Sequence, residues 1–235
     1  LCGTAYANGP NIKPVSGTAI HPDEFVAAVT PLLERQDLCG LLSFLKSRWK
    51  AEQIVELLKS RHCDARKVAA LALSLVGGSC CLGPLSEQLK DPDPVVNEMA
   101  EHALWSIWFR SGSCEANHQL AKGAQAMERQ EMTCAIDRFT RAIEIDPKFA
   151  EAYNQRAIAH YLLEHFEESI DDCQRTVDLM PCHFGAWAGM GHCHAHQSRF
   201  AEALACYQKA LAINPHLECL EEASDELRRQ CDAGE

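Results

Sequence analysis

Residues Ala150–His183 read AEAYNQRAIAHYLLEHFEESIDDCQRTVDLMPCH, and these 34 residues decide the fold. The aromatic Tyr153 stands fourth and the small Ala157 eighth. Ser169 is twentieth, Cys173 twenty-fourth, Thr176 twenty-seventh and Pro181 thirty-second. A step of 34 forward gives Trp187, Gly191, Ala203, Tyr207, Ala210 and Pro215. A step of 34 back gives Gln119, Gly123, Ala135, Phe139, Ala142 and Pro147. Small residues at recurring places let two antiparallel helices approach, and large ones fill the space between them. Each proline follows a helix that its ring cannot continue, so the chain turns into the next unit. Three tandem units follow, at 116–149, 150–183 and 184–217, a period that marks a helical array.

The six recurring positions at this period resemble the tetratricopeptide (TPR) family. The resemblance implies an all-α, right-handed helical-repeat superhelix (an α-solenoid) of two-helix hairpins. In the second unit Ser169, Cys173 and Thr176 replace the commoner Ala, Phe and Ala, and in the first Gln119 replaces the aromatic. These replacements are compatible in size, with some loss of packing density.

The resemblance also implies that first helices line a concave groove. The second, fifth, ninth, twelfth and thirteenth positions of each unit would face inward. In the first unit these are Asn117, Leu120, Ala124, Met127 and Glu128; in the second Glu151, Asn154, Ile158, Tyr161 and Leu162. In the third they are Gly185, Ala188, His192, Ala195 and His196. The partner-binding groove is accordingly assigned to Leu120, Met127, Asn154, Ile158, Tyr161, Leu162, His192 and His196. Its apolar middle suits a peptide or helix of another protein, and Asn154 could hydrogen-bond an extended backbone. The expected function is a scaffold or adaptor without catalysis. In a competing arrangement, the preceding helices or the C-terminal helix partly fill the groove. TPR domains that clamp chaperone tails use Lys and Asn in the first unit and Lys and Arg in the third. Leu120, Ala124, Gly185 and Gly189 stand there, so no chaperone carboxylate-tail clamp is expected.

Upstream the period changes to 31. The stripe Ala69, Ala72, Leu73, Val76 maps forward onto Ala100, Ala103, Leu104, Ile107 and back onto Leu38, Leu41, Leu42, Leu45. Ile54 and Leu58 map onto Leu85 and Leu89. With the turn Asp91-Pro92-Asp93-Pro94-Val95-Val96, this segment resembles HEAT repeats, specifically the short phycobilisome-lyase type. The aspartate before Pro94 suits a helix cap. Asn97 stands where a basic residue is frequent, so one contact between repeats is expected to be missing. HEAT-like repeats are assigned to 22–110, opening with a helix from Pro22 to Arg35. The last helix, Asn97–Arg110, is apolar nearly all round and is expected to be sandwiched between the HEAT-like units and the first TPR unit. The alternative is a flexible joint at Ser111-Gly112-Ser113 with an exposed tryptophan pair. Residues 1–21, rich in glycine and proline, read as a flexible lead-in. Residues 218–231 read as a capping helix with the stripe Leu220, Ala223, Leu227, since a terminal repeat needs a polar outer face.

Of the 235 residues, 47% are hydrophobic, enough for a continuous core, and the net charge is −11. Residues 116–235 carry 20 acids against 11 bases, so the acidity sits on the TPR half. That balance disfavours phosphate neutralisation, and neither nucleic acid nor membrane is expected as a partner. The stretch Lys46, Arg48, Lys50, Lys59, Arg61, Arg66 and Lys67 reads as a solvated face. The 13 cysteines are odd in number and scattered through helices, which suits buried thiols rather than a disulfide framework. A cytoplasmic location is expected, with no run of transmembrane length. Ala5-Tyr6-Ala7 has the shape of a signal-cleavage site, but no apolar run precedes it. No cofactor is expected. His192 and His196 share a helix face one turn apart, a spacing that can hold a metal. No Glu follows His192, and Cys193 and His194 point elsewhere, so no metal site is assigned. A metal- or thiol-based site there is the first alternative function. An accessory lyase-like role of the HEAT-like segment is the second.

Overall fold

A computed structural model describes residues 19–233, with side chains through 229. The lead-in proposed at the N-terminus lies, up to residue 18, outside the described residues. Thirteen α-helices follow one another, and no strand occurs among the described residues. The first six are α1 (Pro22–Glu34), α2 (Leu38–Arg48), α3 (Ala51–Glu56), α4 (Cys63–Val76), α5 (Leu82–Gln88) and α6 (Pro94–Phe109). Three hairpins come next: α7 (Cys114–Glu128) with α8 (Met132–Ile145), α9 (Ala150–Leu162) with α10 (Phe166–Leu179), and α11 (Phe184–His196) with α12 (Phe200–Ile213). Helix α13 (Glu218–Ala233) packs on α12. Neighbouring hairpins stack in order, as an α-solenoid requires.

The 34-residue pattern fixes each hairpin from within. Phe139 and Tyr207 are buried between the helices of the first and third hairpins. A Cβ on Gly123 would lie 2.3 Å from Phe139 Cε1, and one on Gly191 would lie 2.4 Å from Tyr207 Cε1. The ring and the glycine are therefore a matched pair. Each first helix ends on a residue with left-handed backbone: Gln130 (φ 61°), Glu164 (φ 60°) and Ser198 (φ 59°), again 34 apart. The next residue's N–H reaches back into the helix, as Glu131 to Ala126, His165 to His160 and Arg199 to His194. This closure terminates the helix and aims its partner back along it.

The N-terminal helices are built at the shorter period. Ile54, Leu58, Leu85 and Leu89 are all buried, as are Ala69, Ala72, Leu73, Ala100, Ala103, Leu104 and Ile107. The first copy of the stripe is weaker: Leu41 and Leu45 are buried, but Leu38 is 63% exposed. Helix α6 starts three residues before the expected Asn97, because Asp93 caps Val95 and Val96 and Pro94 occupies the first turn. Arg66, one 31-residue step before Asn97, grips Asp91 through two bonds of 2.7 and 2.9 Å. Asn97 donates to the carbonyls of Gln88 and Asp91 in the turn before it, the counterpart of the bond from Arg66 to the Ser60 carbonyl and not of its ion pair with Asp91.

Helix α6 is where the two periodicities meet, and its seat differs from the expected one. Its inner face packs on α4 and α5. Its two tryptophans reach the start of the third hairpin: Trp105 packs edge-on to Phe184, and Trp108 stacks on His183. Glu101 accepts from Asn214 at the end of α12. The expected sandwich with the first TPR unit is thus replaced by docking across the second and third, because that is where the large rings find a complementary floor. The exposed-tryptophan alternative is overturned as well, since Trp108 is fully buried. Ser111-Gly112-Ser113 is packed rather than free: Ser113 caps α7, Gly112 lies under Phe149, and the Asn117 amide donates to the carbonyls of Arg110 and Gly112.

Candidate functional site

The concave face divides into a covered end and an open end. At the covered end Glu151, which opens α9, is fully buried. Its Oε2 lies 2.9 Å from His183 Nε2, and its Oε1 accepts from Asn154 (3.1 Å) and Gln155 (2.6 Å). His183 Nδ1 accepts the N–H of Ala186, so the ring proton sits on Nε2 and is donated to Glu151. Trp108 covers the imidazole, and Trp105 lies so close to Gly185 that a Cβ there would sit 2.8 Å from its ring. The chain's own α6 therefore closes the groove where the second-position residues were expected to face a partner.

At the open end Ile158 and Leu162, one turn apart on α9, are 38% and 52% exposed. Tyr161 hydroxyl and His196 Nε2 are 2.8 Å apart, and Phe166 stacks on the His196 ring at 5.1 Å. One turn earlier on α11, His192 Nδ1 meets the Tyr207 hydroxyl at 2.8 Å. Burial, and then the neighbouring His196, lower the pKa of His192; burial pushes the Tyr207 phenol up to about 12. Both partners are thus neutral near pH 7 and their bond carries no formal charge. Met127 is partly buried on the first hairpin, whereas Leu120 is buried in the core beneath α9. Asn154 is also buried, and one N–H of its amide is spent on Glu151. Of the eight assigned residues, the structure gathers Ile158, Tyr161, Leu162, His192 and His196 at one accessible place.

Residues 154, 157, 158 and 161 also border a cavity of about 240 Å3 that runs from this place into the second hairpin. Among the described residues no cluster of three or more His, Cys, Asp or Glu could hold a metal ion. The cysteines of the described residues are free, with Cys81, Cys173, Cys193 and Cys206 buried. No helix of the described residues is long and apolar enough to cross a membrane.

The Glu151–His183–Trp108 stack escaped the reading of the sequence. Its only visible signal was the apolar girth of α6, which announces a second buried side without saying against what.

A two-helix unit repeated three times, with a concave face along its first helices, defines the class of helical-repeat binding folds. Residues 185–217 match the tetratricopeptide repeat family, so the third hairpin is a tetratricopeptide repeat. A TPR repeat-containing protein of Rhizobium etli is 29% identical over 137 residues, covering 57% of this chain and 66% of that protein. Small glutamine-rich tetratricopeptide repeat-containing protein 2 of Saccharomyces cerevisiae is 26% identical over 180 residues, covering 77% of this chain and 44% of that protein. The chain thus spans less than two thirds of the length of either. Among solved structures, the first TPR of Spaghetti (RPAP3) bound to the HSP90 peptide SRMEEVD superposes with a TM-score of 0.50 at 22% identity, covering 51% of this chain and 95% of that one. The Sgt2 TPR domain from Aspergillus fumigatus gives 0.50 at 21%, covering 52% and 83%. These likenesses concern the fold of the TPR half.

They also correct one expectation. Chaperone tails were excluded as partners because four clamp positions are uncharged, yet a domain of this fold carries an HSP90 tail peptide in its solved structure. The exclusion equated tail binding with one set of side chains. A groove also gains affinity from main-chain hydrogen bonds and apolar contacts, which those four positions do not report.

Proposed function

We propose that this protein is a protein–protein adaptor. A short peptide of its partner would lie across the open end of the concave face, against Ile158, Tyr161, Leu162, His192 and His196, with Met127 extending the surface. The observation that carries this reading is the pair of exposed aliphatic residues, Ile158 and Leu162, beside the Tyr161–His196 bond on a face whose other end is closed by α6. Such a face favours a short extended segment laid across the C-terminal halves of α9 and α11, because α6 already covers the N-terminal ends of both helices. The HEAT-like helices at 22–110 would be a scaffold that sets the length of the groove, and neither half would carry catalysis. The TPR repeat and the fold of its relatives support a binding role.

The test uses the full chain with Leu162→Asp and His196→Ala, compared with wild type. Photocrosslinking from position 158 in extracts of the source cells, and titration with the peptide SRMEEVD, read out binding. Loss of at least about tenfold in affinity in Leu162→Asp is expected for any ligand that wild type holds, the size of a truncated hot spot. Ligands retained equally by wild type and both variants would remove the concave face from the account.

A further inference from the structure

The second hairpin lacks the ring that its neighbours have. Position twenty-four is Phe139 in the first unit and Tyr207 in the third, both buried, but Cys173 in the second. Position eight is glycine where the ring is present and Ala157 where it is absent. The near-collision of Gly123 with Phe139 and of Gly191 with Tyr207 shows why: a Cβ at position eight and a ring at position twenty-four cannot coexist unmoved. The second unit carries the opposite pairing, and the cavity of about 240 Å3 lies at that place, floored by Ala157, Ser169 and Cys173.

Two features say what such a cavity accepts. No Asp, Glu, Lys or Arg lines it. Most of its polar side chains already have partners: Ser169 Oγ donates to the Ala157 carbonyl, Asn154 Nδ2 donates to Glu151, Tyr161 shares a hydrogen bond with His196, and His192 shares one with Tyr207. An ionised guest would lose its hydration without meeting an opposite charge. Apolar cavities of comparable size take up ligands such as benzene. Gly185 lies under Trp105 at the covered end, but Gly189 on α11 leaves the wall low towards the concave face, the nearest atom to a Cβ there being Cys173 Sγ at 3.4 Å.

We propose that this cavity receives one apolar side chain of the bound peptide, of phenyl size or smaller, in the place where the flanking hairpins keep a ring of their own. The inference rests on the concave-face reading and specifies its anchor. The groove then demands an uncharged anchor residue from its partner, and a charged residue at that place is rejected.

The test uses the full chain and small probes: toluene for the anchor, with benzoate as the charged control. Wild type should gain a few degrees in Tm at saturating toluene, by mass action on the folded state, and nothing with benzoate. The double variant Ala157→Gly/Cys173→Phe restores the pairing of the other hairpins and should show no toluene shift. Gly189→Leu, which fills the cavity from α11 and suits a helix better than glycine, should also show none, and serves if the double variant does not fold. No toluene shift in wild type, or equal shifts in wild type and Gly189→Leu, would overturn the proposal. A ligand lost in Leu162→Asp but kept in Gly189→Leu leaves the concave face standing and removes the cavity alone.

Discussion

Trp108 lies over His183 with ring centroids 4.1 Å apart and planes 22° apart, and both side chains are fully shielded from solvent. One residue lies on α6 and the other at the turn from the second hairpin into the third. Their contact makes the two arrays one body. Trp108→Ala should therefore destabilise the protein by about 3–5 kcal/mol, as large-to-small changes of buried aromatics do. Denaturant unfolding measures the loss. Limited proteolysis between Arg110 and Cys114 should accelerate in the variant and be slow in wild type.

Glu151 holds three donors at once in a dry site: His183, Asn154 and Gln155. Removing the carboxylate strands all three. Glu151→Ala should cost about 3–5 kcal/mol, the range for breaking a buried polar pair from one side. Glu151→Gln keeps one acceptor oxygen and should fall between the two. A cost for Glu151→Ala below about 1 kcal/mol, the scale of an exposed pair, would show that the site is wetter than described.

Acid should weaken the fold through histidines. Burial lowers the pKa of His160, His192 and His194 in the folded protein. The unfolded chain then binds protons more readily, so stability is complete above the unfolded value near 6.5 and is lost as pH falls through the folded values. Urea midpoints measured from pH 7.5 to 5 should decline, and His192→Gln should flatten that decline. An unchanged slope would assign the acid sensitivity elsewhere.

Asp93 responds lower on the scale. The Cys63 thiol, the Lys67 ammonium and the Val95 N–H hold its carboxyl well below the usual carboxylate range. Its contribution is present above the unfolded value of about 4 and is lost as pH falls through the folded one. Asp93→Asn retains a cap-forming side chain but not the charge. The variant should be less stable than wild type at pH 7, and the gap should narrow as pH drops below about 4.

The left-handed residues Gln130, Glu164 and Ser198 are unusual in being other than glycine. Left-handed backbone costs about 1–2 kcal/mol for an ordinary side chain. Ser198→Gly and Glu164→Gly should raise or preserve Tm, the relief being offset in part by the freer unfolded chain. Glu164→Val should lower it. Melting curves of the three variants decide the matter.

Much of this fold was legible because periodicity survives without knowing any contact. The six positions at 34-residue spacing place α7 to α12, and the stripe at 31 places most of the buried residues of α4 and α6. What periodicity cannot carry is how one array sits on another. That depends on the Trp105–Phe184 and Glu101–Asn214 meetings, between residues far apart in the chain and unrelated by either repeat. The covering of Glu151 follows from the same fact. A position that faces a groove by its place in the repeat faces a neighbour's ring once α6 is in the way. The cavity was half legible: Cys173 in place of a large ring signalled loose packing, but its match with Ala157 needed the collisions at Gly123 and Gly191 to be seen.

Trp108 precedes His183 by 75 positions. A ribosome adding about 5–20 residues per second takes several seconds to cover that distance. During that interval the nascent N-terminal helices have no lid, and the indole rings of α6 face solvent or whatever shields emerging chains. Maturation of this protein is therefore not a simple zipping of hairpins in the order of their translation: its first half waits, sticky and incomplete, for its last.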